Sequence, residues 1–159
     1  FVTRKQVEVI KMREQLKIAS ENDYIRIQQF LQKAGISTAG VEEHIHQFVI
    51  MENEEGELLA TVGFEKEGVD GILRSLVVSP SLIQSDILLL FKSIVQLAQK
   101  HGVKQLYLLT NKASSLHFFQ MMNFQQTSYS ALPELLKEHS YLKKLPNPQD
   151  VYVMFYAAS

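Results

Sequence analysis

The sequence is expected to fold as an α/β (α+β) protein, a mixed and mostly antiparallel central sheet with helices on both faces. Three observations predict it. Apolar runs of strand length recur at 48–51, 58–64 and 72–78, separated by acidic or glycine-containing turns, which is the pattern of an antiparallel meander. One long segment, 83–100, then repeats its apolar residues at helical spacing. After it comes a short continuous apolar run, Leu106 to Leu109, the signature of a central strand buried on both faces. A chain of 159 residues with no linker, repeat or low-complexity stretch is expected to be a single domain, 1–159.

Taken in order, residues 1–11 carry no clear period and are left unassigned as an extension. Leu16 to Ala19 alternates apolar and polar and is expected to be a short strand. Ser20 with Asp23 forms an approximate capping box that opens a helix from Glu21 to about Ala34. Tyr24, Ile27, Phe30, Leu31 and Ala34 make its apolar stripe, and Gly35 stops it. A loop and a weak helix lead through Val41 and Ile45 to the strand Phe48–Met51. The turn Glu54-Glu55-Gly56-Glu57 joins this to the strand Leu58–Phe64, and a second turn at Gly68, Asp70 and Gly71 leads into Ile72–Val78. In the long helix from about Ile83 to Lys100, Leu88 and Leu89 widen the stripe, so burial on more than one side is expected. Gly102 ends that helix. Helices Ala113–Met122 and Leu135–Leu142 and a final strand Val151–Tyr156 complete the chain.

Composition narrows the function. Sixteen basic and 17 acidic side chains leave a net charge of −1, without the basic excess of a nucleic-acid binder. At 46% hydrophobic and 21% charged the chain is not of disordered composition. No apolar run approaches the ~18 residues of a membrane span, and no signal peptide is visible, so a cytoplasmic location is expected. The absence of cysteine removes disulfides, thiolate metal sites and cysteine nucleophiles together. His44 and His46 are two apart, a spacing that suits no helical metal pair, and no metal is expected. No G-x-G-x-x-G or P-loop pattern occurs.

The junction between the apolar strand and the long helix is where an anion or cofactor would be sought, because helix N-termini present N–H groups and a positive dipole end. Three stretches carry a resemblance: Gly71-Ile72-Leu73-Arg74-Ser75-Leu76-Val77-Val78-Ser79-Pro80, His101-Gly102-Val103-Lys104-Gln105-Leu106-Tyr107-Leu108-Leu109-Thr110, and Phe118-Phe119-Gln120-Met121-Met122-Asn123-Phe124. In that order and spacing, from Leu16 to Phe155, the chain resembles the GNAT family of acetyl-CoA-dependent N-acetyltransferases. Ala34 to Thr38, Ala131 to Glu134 and Val151 to Met154 are similar to one branch of it. That branch holds the N-acetylglutamate-synthase acetyltransferase domain and the amino-acid N-acetyltransferases of arsenic-resistance operons.

The resemblance implies acetyl-CoA as cofactor and the amine of a small molecule, an amino acid, as acceptor. It implies that the backbone of Leu76, Val77 and Val78 pairs with the pantetheine arm. It places the pyrophosphate at Gln84, Ser85, Asp86, Ile87 and Leu88, and the pantetheine and adenosine ends near Asn111 and Ser114. Two departures stand out. The family's loop has glycine-type residues where this chain has Asp86 and Leu88, and no glycine lies between Gly71 and Gly102. A carboxylate ~4 Å from a phosphate charge is repelled by about 1 kcal/mol in water and about 4 kcal/mol near a protein surface. Phe119 stands where many members carry a tyrosine that protonates the thiolate, and Asn123 replaces a glycine, a mild change because asparagine tolerates positive φ.

Several residues keep two readings. Arg74 is either a carboxylate clamp for an amino-acid substrate or a rim arginine paired with a surface acid. Glu65 either orients the amine or is a solvated charge beside Lys66 and Glu67. Ser75 either binds substrate or bonds within the sheet, and Asn111 is either a ligand or a helix cap. Tyr129 is a core or rim aromatic that doubles as candidate proton donor. The alternative to an enzyme is a non-catalytic module of the same fold, with weak or lost coenzyme binding. A homodimer through Leu88, Leu89 or the final strand is compatible with both.

Overall fold

A computed structural model of the chain describes residues 15–139, 142 and 150–158. The expected extension 1–11, and residues 140 and 141 of the expected helix Leu135–Leu142, lie outside the described residues. Among the described residues, seven strands hydrogen-bond in the order β1-β2-β3-β4-β5-β7-β6, a mixed sheet that bears out the expected α/β class.

Strand β1 (Gln15–Ile18) pairs antiparallel with β2 (Phe48–Glu52). Between them the capping box forms: the Ser20 N–H donates to Asp23 Oδ2 at 2.8 Å. A 3₁₀ turn, Glu21–Asp23, runs into helix α1 (Tyr24–Lys33). Ile27 and Leu31 from the expected stripe are fully buried against Ala19, Val41, Ile45, Phe48 and Ile50. Each such side chain contributes roughly 1.5–3 kcal/mol on burial. Gly35, at φ +74°, ends the helix as expected.

Strand β3 (Leu58–Glu67) returns antiparallel to β2, with Phe48 opposite Gly63 and a register shift at Met51/Glu52. A Cβ on Gly63 would lie 2.7 Å from the Phe48 ring, and that ring is wholly buried. Glycine is required there by close approach rather than by backbone conformation. Strand β4 (Asp70–Val78) then pairs parallel with β5 (Gln105–Thr110), and helix α2 (Gln84–Lys100) is the crossover between them.

Helix α2 departs from expectation on one face. Leu90, Phe91, Ile94, Leu97 and Ala98 are buried, but Ile83, Leu88 and Leu89 are 58%, 40% and 49% exposed. The helix therefore buries a single wide stripe. Beyond β5 come helix α3 (Leu116–Met121), a three-residue strand β6 (Gln125–Thr127), helix α4 (Glu134–Lys137) and β7 (Tyr152–Ala157). Strand β6 was not expected, because Gln125-Gln126-Thr127 has no apolar alternation. It exists by pairing with Phe155, Met154 and Val153 of β7.

Two compact units are distinguished along the chain. One comprises the described residues up to Gly63 together with Ser75–Ser93. Its core is Ile27, Leu31, Val41, Ile45, Phe48 and Ile50. The other comprises Phe64–Arg74 and the described residues from Ile94 on, with a core of Ile72, Tyr107, Leu132, Leu136, Leu142 and Val153.

Candidate active site

The first candidate region is the end of β4 and the start of α2. The parallel ladder between β4 and β5 spans Asp70↔Gln105, Gly71↔Leu106 and Ile72↔Tyr107. Strand β4 continues for six residues beyond the last of these pairs. Within that continuation Ser75 has φ +58°, in the left-handed region that costs an L-residue roughly 1–2 kcal/mol. The buried Thr61 hydroxyl holds it there by donating to the Ser75 carbonyl at 2.8 Å. The Ser75 bond that is visible in the sheet thus uses its carbonyl. Leu76 and Val77 are half-buried and Val78 is exposed.

The following loop is built by serines. The Ser81 N–H donates to the Ser79 hydroxyl at 3.2 Å, and the Ser79 N–H donates to the Leu59 carbonyl at 2.7 Å. Asp86, 5% exposed, turns back onto the helix start and accepts from the Ile83 N–H at 3.3 Å. It is the N3 carboxylate of its own helix, in the place where a negative group meets the dipole best. Gln84 and Ser85 are exposed, Ile87 is half-buried, and Leu88 projects to the surface.

The second candidate region joins Glu65 on β3, Arg74 on β4 and His139, two residues beyond α4. Glu65 and Arg74 are each 4% exposed. Arg74 NH1 donates to Glu65 Oε2, and His139 Nε2 lies 2.9 Å from Glu65 Oε1. Glu67 Oε1 is 3.9 Å from the same imidazole nitrogen. This corrects two expectations. Glu65 is not a solvated charge, and the acid that pairs with Arg74 is buried rather than at the surface. A buried carboxylate is tolerated when both oxygens have cationic or donor partners, as here.

His139 was not singled out by the sequence. It lies far along the chain from Glu65, and no local motif marks it; only the return of the segment after β6 brings it to β3. Tyr129, in the 3₁₀ turn Tyr129–Ala131, packs half-buried on the Ile72–Tyr107 core, with Lys137 Nζ 5.7 Å from its ring centre. Asn111 and Ser114 are exposed. The cap position before the turn Ala113–Ser115 is Lys112, so Asn111 is not the helix cap. Phe119 is a core residue against Phe118 and Phe124, and Asn123 adopts φ +70° as its replacement of glycine implied. Burial, and then the charge of Asp70, push the Tyr107 phenol up. Among the described residues no group of three His, Asp or Glu side chains is arranged to hold a metal ion, and no helix is long and apolar enough to cross a membrane.

This sheet order, with its interrupted β4 and the helix that follows, is the GNAT acetyltransferase fold. The chain superposes with a TM-score of 0.73 on N-acetylglutamate synthase from Neisseria gonorrhoeae complexed with coenzyme A and N-acetyl-glutamate, at 23% identity over 92% of this chain and 35% of that one. It is similar also to Rv2747 from Mycobacterium tuberculosis in complex with CoA and NLQ, with a TM-score of 0.68 and 17% identity over 90% of this chain and 98% of that one. A GNAT-family acetyltransferase from Staphylococcus aureus Mu50 gives a TM-score of 0.68 at 15% identity, over 92% of this chain and 100% of that one. The chain spans about a third of the length of the N-acetylglutamate synthase chain. In sequence it is 39% identical over 123 residues to the uncharacterized protein YwlB of Bacillus subtilis, covering 77% of this chain and 82% of YwlB, and it belongs to the YwlB family. No family model matches the sequence.

Proposed function

We propose that the protein is an N-acetyltransferase that moves an acetyl group from acetyl-CoA to the amine of a small molecule, an amino acid. The observation that carries this reading is the continuation of β4 past its three-pair ladder with β5, turned at Ser75. That path leaves the Leu76–Val78 backbone beyond the ladder, which fits an extended amide-containing arm such as pantetheine. The helix start fits the pyrophosphate less well, because the Asp86 carboxylate already accepts from the Ile83 N–H. Acetyl-CoA supplies the activated acyl group as a thioester. Glu65 and Arg74 carry the acceptor side, and Tyr129 gives a proton to the departing thiolate.

Asp86 also favours a second reading, a non-catalytic module of the same fold with weak coenzyme binding. Calorimetric titration with acetyl-CoA separates the two. The enzyme reading expects saturable binding below about 1 mM, the usual upper range of substrate affinity. No heat of binding at that concentration overturns it. Release of coenzyme thiol with any amino acid in a panel overturns the second reading. If the helix start is what limits coenzyme binding, Asp86→Gly with Leu88→Gly tightens it.

A further inference from the structure

The junction from Ser79 to Leu89 lies within one compact unit, that of the described residues up to Gly63 together with Ser75–Ser93. A diphosphate binds such a strand-to-helix junction through backbone N–H groups aimed at its oxygens. Here many of those groups already have acceptors in the chain. The Ser79 N–H donates to the Leu59 carbonyl at 2.7 Å, and the Leu82 N–H turns back to the Ser79 carbonyl at 3.1 Å. Pro80, between them, has no N–H to give. The Ser81 N–H donates to the Ser79 hydroxyl at 3.2 Å, and the Ile83 N–H to Asp86 Oδ2 at 3.3 Å. The Asp86 and Ile87 N–H groups both donate to the Ile83 carbonyl, at 3.0 and 3.3 Å. Gln84 and Ser85, in the first turn of α2, stand outside this set. Leu88 and Leu89 follow them by four residues each, on the same faces of the helix. A helical side chain leans toward the N-terminus and covers the turn before its own Cα. The exposed Leu88 and Leu89 therefore lay apolar surface beside Gln84 and Ser85, and the exposed Ile83 adds to it from the loop. No Lys or Arg occurs between Arg74 and Lys92 to supply a charged donor from this segment. A diphosphate seated there would give up water for a surface poor in donors, and an ion loses more in that exchange than a neutral group does. The pantetheine arm is neutral, and its amides match the backbone of an extended strand. It asks nothing of α2.

Resting on the acetyl-transfer reading above, we propose that the protein recognises its donor by the pantetheine thioester alone and gives the nucleotide diphosphate no seat at the start of α2. Pantetheine thioesters that carry no nucleotide then serve as acyl donors as well as acetyl-CoA does. The transfer is the same with either donor. The thioester C–S bond breaks, the amide C–N bond forms with the amine's electron pair, and one amine proton ends on the released thiol.

The test titrates the wild-type protein in a calorimeter with CoA, with pantetheine and with the nucleotide half of CoA (ADP phosphorylated on its 3′-hydroxyl). The expected result is Kd values for CoA and pantetheine within about threefold of each other, and no binding of the nucleotide half. The Kd of CoA should also hold within about threefold as NaCl rises from about 0.05 M to about 0.5 M, because salt screens contacts to phosphate and leaves neutral contacts alone. Thiol release with acetyl-CoA and with S-acetylpantetheine should give kcat/KM values within the same factor. CoA bound more than about threefold tighter than pantetheine overturns the proposal and leaves acetyl transfer standing. So does competition between the nucleotide half and pantetheine. Binding of neither CoA nor pantetheine overturns the acetyl-transfer reading itself, and this inference with it. The Asp86→Gly, Leu88→Gly double variant, checked for folding, locates the effect: its affinity for CoA relative to pantetheine should rise by more than about threefold. An unchanged ratio in the folded variant overturns the assignment of the exclusion to the start of α2.

Discussion

Glu65 illustrates how a charge is kept inside a protein. Its two oxygens are divided between a guanidinium and an imidazole, and neither partner can be removed without exposing the other to the cost of burial. Arg74→Met is therefore expected to destabilise the fold by about 3–5 kcal/mol, because it strands a buried carboxylate. The double variant Arg74→Met with Glu65→Gln should recover a large part of that loss. Urea denaturation of the two variants checks this, and equal losses would contradict it. Much of the pair was legible in sequence: both residues flank the short turn at Gly68, in strands expected to be neighbours. That they meet each other rather than solvent was not legible, because burial depends on what packs over the strands. His139 carried no signal of its own.

At the scale of the element, capping and periodicity gave reliable boundaries. Asp23 closes the start of α1 and also meets Arg26 Nη2 at 2.8 Å, while Arg26 reaches Glu52 at 2.6 Å and the Gly56 carbonyl at 2.5 Å. One guanidinium thus ties the helix start to β2 and its hairpin turn. Burial pushes the Asp23 carboxyl up, but the Ser20 N–H, Arg26 and Lys17 outweigh it and hold it below its ordinary value. The folded value is depressed, so the stabilisation is present above the unfolded value near 3.9 and is lost as pH falls through the folded one. Asp23→Asn should cost roughly 1–2 kcal/mol at pH 7. Its difference from wild type should shrink steadily below about pH 4. Denaturant melts at both pH values measure this, and a pH-independent difference would rule the linkage out. Periodicity was less informative about exposure. It placed Leu88 and Leu89 on a widened stripe, yet both face outward, because a helix against one sheet can bury only one face. Strand β6 escaped it altogether, since an edge strand of three polar residues owes its form to its neighbour.

At the scale of the molecule, β5 is held on both sides, by β4 and β7, while β1 and β6 are the sheet's edges among the described residues. Leu106 and Leu108 on β5 are 0% and 5% exposed. Native-state hydrogen exchange should accordingly find the slowest amides on β5 and the fastest strand amides on β1 and β6. Slower exchange at either edge would show that the core is centred elsewhere. The same arrangement explains why the class of fold could be read early. Two turns, one long amphipathic helix and one continuous apolar run allow few sheets that obey short connections and a right-handed crossover.

The sequence by itself determined the fold class, the order of most elements, their caps, and the departures at Asp86, Leu88, Phe119 and Asn123 from the family pattern. These are local properties: turn residues, periodicity and side-chain identity act over a few positions. Only the tertiary structure decided that Asp86 is spent on its own helix start, that Ser75 carries the turn in β4, and that His139 closes on Glu65. Each of those depends on groups distant in the chain or on how deeply a charge is buried. Coulombic and desolvation energies follow distance and solvent access in space, which spacing along a chain does not fix.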